Sequence, residues 1–344
     1  MKFLLTAINA KFIHSNPAIY SLRAGAGEKL QPYVELAEFT INESLESILE
    51  GIWKRQPKVI GFSCYIWNWK LIREILTELP KILPDTEIWL GGPEVTYDGP
   101  GLLREFPQVT GIMVGEGEVT FREVLEQYLR EAETAGQSEQ QPESDSTEHQ
   151  VADRRGTVAG KSMVERFGQI PGLCLASGYT APRDLTDLTT LPFLYEDMEP
   201  FTNRIIYYET SRGCPYRCSY CLSSIDKKVR LRDISVVKRE LQFFLDQNVK
   251  QVKFIDRTFN CDHKHAMEIW RYIYEHDNGV TNFHFEISAD ILREEEIALL
   301  NRFRPGLAQL EIGVQSTNPE TIRAIHRVMD VDKLGLDQND RNIL

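Results

Sequence analysis

The chain has 344 residues, of which 42% are hydrophobic and 26% charged, a composition typical of globular proteins and a length sufficient for two domains. A formal net charge of -12 disfavours unaided binding to nucleic acid phosphates, and neither a membrane-spanning apolar run nor a signal-peptide cleavage pattern is found. Six cysteines are too few for a disulfide scaffold. We therefore expect a cytoplasmic protein without a membrane or nucleic acid partner.

Short apolar runs alternate with amphipathic stretches along the first 133 residues. This alternation is typical of a parallel sheet covered by helices on both faces. We predict a flavodoxin-like α/β domain over residues 1–133. Its strands are predicted at 2–8, 33–39, 58–65, 87–92 and 111–117, and its helices at 17–30, 43–54, 69–82, near Leu102 and at 118–130.

The predicted carboxyl ends of these strands carry small or polar residues, namely Ser63, Gly91, Gly92 and Gly115. Glycines at strand ends also serve tight turns, but several such ends together predict a flat crevice for a large ligand. The chain has neither a complete GxGxxG motif nor a Walker loop, so the crevice is not predicted to bind a nucleotide.

An acidic segment follows, and residues 131–150 contain six acidic residues but no Lys, Arg or aromatic residue. Such a composition cannot offset the entropy of ordering by burial. We predict a flexible linker over 134–162. Residues 163–203 are predicted to form a connecting hairpin, near 170–178, and a loop.

A second series of alternating strands and helices begins near residue 204. The predicted strands are 204–210, 249–256, 282–288 and 307–314, and the predicted helices are 234–246, 262–275, 293–302 and 318–327. Four such units in parallel order suit a barrel or a second open sheet. The second domain is therefore placed at 204–344.

Three cysteines, Cys214, Cys218 and Cys221, lie in the loop after the first strand of this second series. A structural zinc site normally has four ligands in two CxxC-like pairs, and the other cysteine of this region is Cys261. Three thiolates on one loop suit an iron-sulfur cluster better, because three ligands leave one iron open to a substrate or cofactor.

The CxxxCxxC spacing, with Tyr220 directly before the last cysteine, resembles the signature of radical S-adenosylmethionine (SAM) enzymes. Together with the first domain, it resembles the cobalamin-binding class of that superfamily. The resemblance implies a 4Fe-4S cluster held by the three cysteines, SAM bound at the open iron, and possible methyl transfer through cobalamin. It also implies a reductant such as ferredoxin or flavodoxin, whereas the small-molecule or peptide substrate and the catalytic residues stay unknown.

Further cofactor-binding residues are assigned by resemblance, since the order and spacing of Glu286, Gln315 and Arg327 resemble those of oxygen-independent coproporphyrinogen oxidases of the same superfamily. Tyr220 is expected to pack near the adenine of SAM, Glu286 and Gln315 to bind its polar groups, and Arg327 to pair with its carboxylate. Ser63, Gly91, Gly92 and Gly115 are expected to contact cobalamin. The DxHxxG motif of histidine-coordinated cobalamin is missing from residues 9–17, so cobalamin is expected to bind without a histidine ligand, or not at all.

Residues 254–265 read FIDRTFNCDHKH and hold several potential metal ligands. We favour a structural interpretation, in which Asn260 or Asp262 caps the next helix and the histidines face solvent. Asp256 resembles the FxD feature of the class, with Arg257 where a second acid is common.

The C-terminus departs from the class, since a complete SAM barrel has six strand-helix units and only four are predicted here. This suggests a fragment or a barrel completed by another chain, so that the isolated chain would cleave SAM slowly and self-associate. Two alternatives remain open beside the leading interpretation. One is a radical SAM enzyme whose first domain holds no cobalamin, and the other is a non-catalytic iron-sulfur or zinc-binding module.

Overall fold

A computed structural model of the chain describes residues 2–138, 162–195, 197–330 and 333. The chain divides into two units, each with its own sheets. The first unit comprises the residues up to Thr186 together with Leu191–Asp197, and the second comprises Asp187–Thr190 together with the residues from Met198 onward.

The sheet of the first unit has, within the described residues, seven strands in the order β2-β1-β3-β4-β5-β6-β7. The first five are parallel and the last two join as an antiparallel edge. The order 2-1-3-4-5 is that of flavodoxin-like sheets, which confirms the predicted fold class. The strands are β1 (Phe3–Asn9), β2 (Val34–Thr40), β3 (Val59–Ser63), β4 (Glu87–Gly91), β5 (Val109–Met113), β6 (Leu173–Leu175) and β7 (Gly178–Tyr179). The helices are α1 (Pro17–Gly25), α2 (Leu45–Trp53), α3 (Trp69–Ile82), α4 (Gly99–Glu105), α5 (Gly117–Ser138) and α6 (Met163–Phe167).

Helices cover both faces of this sheet, which explains why its strands are apolar at successive positions. All seven residues of β1 are buried. Leu4 belongs to one core together with Ile72 of α3, whereas Phe3 belongs to the other core and packs edge-on against Phe121 of α5. Since neighbouring residues of a strand point to opposite faces, a strand between two helical layers needs apolar side chains throughout.

Two helices of the first unit differ in length from the prediction. Helix α1 begins after Asn16, whose side chain accepts a hydrogen bond from the N–H of Ile19, but it ends at Gly25 rather than at Leu30. Gly27 follows with a φ of 81°, a conformation that continues no right-handed helix. Helix α5 runs past the start of the predicted linker at residue 134, and the rest of that linker, residues 139–161, lies outside the described residues.

The second unit contains four parallel strands that neighbour one another in chain order, together with a two-stranded antiparallel ladder, within the described residues. A helix follows each parallel strand, and the first three of these helices lead to the next parallel strand, as in the wall of a βα barrel. The parallel strands are β8 (Ile206–Tyr208), β11 (Gln251–Phe254), β12 (Asn282–Ile287) and β13 (Ala308–Ile312), and the ladder consists of β9 (Ser211–Arg212) and β10 (Arg230–Leu231). The helices are α7 (Ile234–Asp246), α8 (His263–Glu275), α9 (Glu294–Leu300) and α10 (Pro319–Ala324).

An aromatic cluster forms the centre of the second core. Phe254 of β11 and Phe285 of β12 have ring centroids 4.6 Å apart, and Phe259 lies 4.5 Å from Phe285. Trp270 of α8 is fully buried against the same rings. The loop after β11, which carries Phe259, is thus packed firmly onto the sheet.

Within the described residues, no helix has both the length and the apolar character that crossing a membrane requires.

Candidate active site

The three motif cysteines lie on a loop whose two ends are joined by the β9–β10 ladder. In this ladder Ser211 pairs with Leu231 and Arg212 with Arg230. Inside the ladder, the N–H of Cys214 donates to the carbonyl oxygen of Asp226 at 2.9 Å. The base of the loop is therefore held by main-chain hydrogen bonds.

Gly213 makes this close approach possible. It has a φ of +97°, and a Cβ at this position would lie 2.5 Å from the carbonyl oxygen of Lys228. Only glycine adopts such a conformation readily and leaves this space free. The glycine before the first cysteine is thus a requirement of the loop geometry.

The donor set of this loop is chemically suited to an iron-sulfur cluster. Cys214 and Cys218 are 8% and 6% exposed, Cys221 is half-buried, and all three thiols are free of disulfides. Soft thiolates are the usual ligands of such clusters. Among the described residues, no group of three or more His, Cys, Asp or Glu side chains is placed to hold a single metal ion.

Asp256 ties this loop to the end of β11. Its carboxylate is fully buried and accepts hydrogen bonds from the N–H and hydroxyl of Thr210, at 3.0 and 2.6 Å, and from the hydroxyl of Ser211 at 2.6 Å. Burial raises the pKa of Asp256 to about 6, although these hydrogen bonds act in the opposite direction. Two residues further on, the hydroxyl oxygen of Thr258 lies 3.6 Å from Sγ of Cys214.

Arg327 approaches the same loop from the segment after α10. Its Nη1 donates to the hydroxyl of Tyr220 at 3.1 Å and lies 4.0 Å from Sγ of Cys218. Its Nη2 donates to the carbonyl oxygen of Gly313, and the N–H of Ser219 donates to the carbonyl oxygen of Ile325 at 2.9 Å. The structure thus brings together Tyr220, Arg327 and Cys218.

Tyr220 itself is 50% exposed. Partial burial raises the pKa of its hydroxyl, and the neighbouring Arg327 opposes this rise. The exposed ring leaves one aromatic face next to the cysteines open to a ligand.

The other two residues assigned to SAM lie within β12 and in the loop after β13. Glu286 stands within β12 and faces Glu311 of β13, and Nζ of Lys253 lies 3.5 and 2.9 Å from their carboxylates. Gln315 lies in the loop after β13 and has a φ of 67°. Glu286 is therefore paired with a lysine, a partner that the sequence did not indicate.

The predicted solvent-facing position of the two histidines in 254–265 is wrong. Asp262 does cap α8, as predicted, because its side chain accepts from the N–H of His265 at 2.9 Å. However, His265 is buried on the inner face of α8, where burial lowers its pKa. Nδ1 of His263 lies 2.9 Å from the fully buried carboxylate of Glu296. The helical spacing of His265 with Ile269 and Trp270 was a signal for this burial.

In the first unit, the residues assigned to cobalamin lie at the carboxyl edge of the sheet. Oγ of Ser63 accepts a hydrogen bond from Nδ2 of Asn16 at 3.2 Å. Gly92 has a φ of +113°, and a Cβ there would lie 2.5 Å from the carbonyl oxygen of Cys64. Gly91 accepts from the N–H of Cys64 at 2.7 Å, whereas a Cβ at Gly115 would meet nothing within 4 Å. Gly92 is thus needed for the close approach of its backbone to that of Cys64, whereas the position of a Cβ at Gly115 is free of neighbouring atoms.

A buried polar network holds the β1–α1 loop at this edge. Glu38 of β2 accepts hydrogen bonds from Nδ2 of Asn9 at 2.8 Å, from the N–H of Asn16 at 3.1 Å and from the hydroxyl of Tyr20 at 2.7 Å. Nδ2 of Asn68 donates hydrogen bonds to the carbonyl oxygens of Ile8 and Ser63, at 3.0 and 2.9 Å. These hydrogen bonds therefore fix the β1–α1 loop and the end of β3 at the carboxyl edge of the sheet.

Two family models match the chain. Residues 4–125 match the B12 binding domain, and residues 208–338 match the radical SAM superfamily. The first range includes the five parallel strands of the first unit apart from Phe3, and the second range includes the cysteine loop and strands β11 to β13.

Curated relatives agree with both matches. A 2-(S-pantetheinyl)-carbapenam-3-carboxylate methyltransferase of Streptantibioticus cattleyicolor is 27% identical over 69% of this chain and 32% of its own length. The cobalamin-dependent radical SAM methyltransferase TokK of Streptomyces tokunonensis is 26% identical over 59% of this chain and 28% of its own length. The chain thus spans about a third of the length of these relatives.

A solved structure shows the same fold. The radical SAM methyltransferase TsrM of Kitasatospora setae, bound to tryptophan and a SAM analogue, superimposes with a TM-score of 0.66 at 17% identity, covering 97% of this chain and 64% of that one. At this identity the likeness establishes the fold alone. With its two matched domains in this order, the chain belongs to the radical SAM proteins that carry an N-terminal B12-binding domain.

Proposed function

We propose that this protein is a radical SAM enzyme that uses cobalamin to transfer a methyl group to a substrate. The observation that carries the proposal is the cysteine loop, which holds three thiols at the carboxyl end of a parallel sheet beside Tyr220 and Arg327. Membership of the family implies a 4Fe-4S cluster and SAM as cofactors, and the B12-binding domain supports cobalamin. A one-electron reductant such as ferredoxin or flavodoxin would complete the system.

Cys214, Cys218 and Cys221 would hold the cluster, which when bound supplies an electron to cleave the carbon–sulfur bond of SAM. The three thiols lie on one short stretch of chain, and the β9–β10 ladder holds the two ends of that loop together. The thiols can therefore reach one cluster together. Because two of the thiols are buried, the loop also limits the access of water to the bound sulfurs. This exclusion strengthens the electrostatic interactions inside the site.

Arg327 is suited to bind the carboxylate of SAM. Its Nε is buried and has no hydrogen-bond partner among the described residues, and an unsatisfied buried donor is uncommon in folded proteins. A carboxylate ligand would satisfy it, since guanidinium and carboxylate form paired, charge-assisted hydrogen bonds. Tyr220, which Arg327 holds by its hydroxyl, would place its exposed ring against the adenine.

Glu286 and Gln315 would bind the remaining polar groups of SAM. Nζ of Lys253 lies 3.5 Å from the carboxylate of Glu286. A cationic amino group that binds to Glu286 would therefore compete with this lysine. The left-handed backbone of Gln315 costs about 1 kcal/mol for a non-glycine residue, and such strain is common at functional positions. Both assignments therefore rest on the resemblance and on position.

In the first unit, Ser63, Gly91, Gly92 and Gly115 would line the cobalamin site. The Ser63 hydroxyl accepts from Asn16, so its own hydrogen can donate to a cofactor amide or phosphate. Without a DxHxxG motif, cobalt would bind without a histidine ligand from the protein. The methyl acceptor would be a small molecule or a peptide.

The proposal is tested with the full chain, produced with excess iron and purified without oxygen. Wild-type protein should hold about four irons and four sulfides and release deoxyadenosine or methylate bound cobalamin when SAM and dithionite are added. Cys218→Ala should lose the cluster, while Cys261→Ala, a matched change of a nearby cysteine outside the motif, should keep it. Stoichiometric zinc without sulfide in the wild-type protein would contradict the proposal.

A further inference from the structure

Thr258 lies beside the first motif cysteine, although it belongs to a different part of the chain. It follows β11 and is buried, and its hydroxyl oxygen is 3.6 Å from Sγ of Cys214. This is within hydrogen-bond distance for sulfur. No feature of the cysteine motif itself indicates this neighbour.

The position of Thr258 is fixed from both sides. Its carbonyl oxygen accepts from the N–H of Cys261 at 3.1 Å. Two residues before it, the carboxylate of Asp256 holds Thr210 and Ser211, which lead directly into the cysteine loop. The segment after β11 and the cysteine loop are thus joined by two separate sets of side-chain hydrogen bonds.

The direction of the hydrogen bond between Thr258 and Cys214 depends on the state of the sulfur. With a free thiol either atom can donate, and the threonine hydroxyl also has the carbonyl oxygen of Arg257 at 2.8 Å as an acceptor. A thiolate carries no hydrogen, so the hydroxyl is then the only possible donor of the pair. Rotation of the hydroxyl hydrogen alone redirects it to sulfur, and a charged acceptor makes the stronger hydrogen bond.

We propose that Thr258 is a positioning residue for Cys214 that raises the reduction potential of the cluster by donating a hydrogen bond to this thiolate. Hydrogen bonds to cluster sulfurs are among the determinants of the potential. A donated hydrogen withdraws negative charge from sulfur and so favours the reduced cluster, which carries one more electron. This inference rests on the proposed function, because it requires a cluster at Cys214.

The neighbouring sulfur has a different partner. Arg327 lies 4.0 Å from Sγ of Cys218, and its guanidinium also has Tyr220 and Gly313 as partners. When SAM binds, the charge of Arg327 is expected to be shared with the ligand. The hydroxyl of Thr258 is neutral and buried beneath the loop, so its effect should persist with or without SAM.

The experiment compares wild-type protein with Thr258→Val, which removes the hydroxyl at nearly constant shape, and Thr258→Ser, which keeps it. The full chain is loaded with iron and sulfide, and the electron paramagnetic resonance signal of the reduced cluster is followed against the applied potential. We expect Thr258→Val to make one-electron reduction about tenfold less favourable, a fall in midpoint potential of about 59 mV. Thr258→Ser should return the midpoint to the wild-type value, both with and without SAM.

Iron and sulfide content separates the possible failures. A wild-type chain that takes up no cluster would overturn the proposed function and this inference with it. A loaded Thr258→Val protein with the wild-type midpoint, or a Thr258→Ser protein as shifted as Thr258→Val, would overturn the inference alone. If Thr258→Val takes up no cluster, Thr258→Ala is measured in its place. Failure of both variants to take up a cluster would assign Thr258 to cluster assembly and would overturn its proposed role in setting the reduction potential.

Discussion

Protonation of Asp256 should change the stability of the second unit, because this carboxyl is completely buried at the junction of β11 and the cysteine loop. Burial raises its pKa from 3.8 to about 6, although the hydrogen bonds from Ser211 and Thr210 lower it. The folded protein therefore binds this proton more tightly than the unfolded chain does. A raised folded-state pKa means that stability is gained as the pH falls.

The magnitude follows from the two pKa values. At 1.36 kcal/mol per pKa unit, the difference between 3.8 and about 6 corresponds to about 3 kcal/mol. This stabilisation is fully present below the unfolded-state pKa and is lost as the pH rises through about 6. Asp256→Asn cannot titrate at this position. The unfolding free energy of the wild type relative to Asp256→Asn should therefore increase by about 2 kcal/mol between pH 7 and pH 4.

Hydrogen exchange with mass spectrometry measures this difference locally, on peptides that span β8 and β11 of the cluster-free protein. Rates are corrected for the intrinsic pH dependence of exchange, and Asp246→Asn, which changes an exposed aspartate of the same unit, is the matched control. A difference that does not vary with pH would refute the reasoning. A difference that grows with rising pH would show that the three hydrogen bonds outweigh burial.

Two further changes test the first unit. The side chain of Arg166 is 1% exposed and pairs with Glu87 and Glu131 at 3.0 and 2.9 Å. Arg166→Met should lower the unfolding free energy by about 3–5 kcal/mol, because two partly buried carboxylates lose their partner. A change of less than about 1 kcal/mol in the free energy of urea unfolding would contradict this. Gly92→Ala should destabilise more than Gly115→Ala in the same assay, because both residues have a positive φ but only at Gly92 would a Cβ meet a backbone oxygen, at 2.5 Å. Equal losses would show that backbone conformation alone decides the cost.

The sheet of the first unit could be predicted from the sequence because helices cover both of its faces. A strand such as β1, buried at all seven positions, gives a continuous apolar run that needs no knowledge of its partners. The strand predicted at residues 204–210 likewise corresponds to β8, and the cysteine loop follows it as expected. The family and the cofactor classes followed from the spacing of three residues and from the order of the two domains.

The partners of polar side chains could not be predicted in this way. Lys253 of β11 lies opposite His284 of β12 and reaches Glu286, two residues further along β12. This contact depends on the register of the two strands. His265 lies in a polar segment, and only its helical spacing with Ile269 and Trp270 indicates that it belongs to the inner face of α8. Thr258 meets Cys214 only because two loops end at the same edge. The contacts of Glu286 with Lys253 and of Thr258 with Cys214 each join residues that are distant in sequence.

The position of the cysteine loop depends on residues from several strands and loops of the second unit. The loop is fixed by its own ladder at the base, by Asp256 from the end of β11, and by Arg327 from the segment beyond β13. Parallel strands bring these groups to one edge only if their registers agree. Asp256 follows β11 by two residues, so a shift of one residue in this strand would move its carboxylate away from Thr210 and Ser211. In the proposed function the thiols would supply the ligands, and the register of the strands determines whether Asp256 and Arg327 reach the loop that carries them.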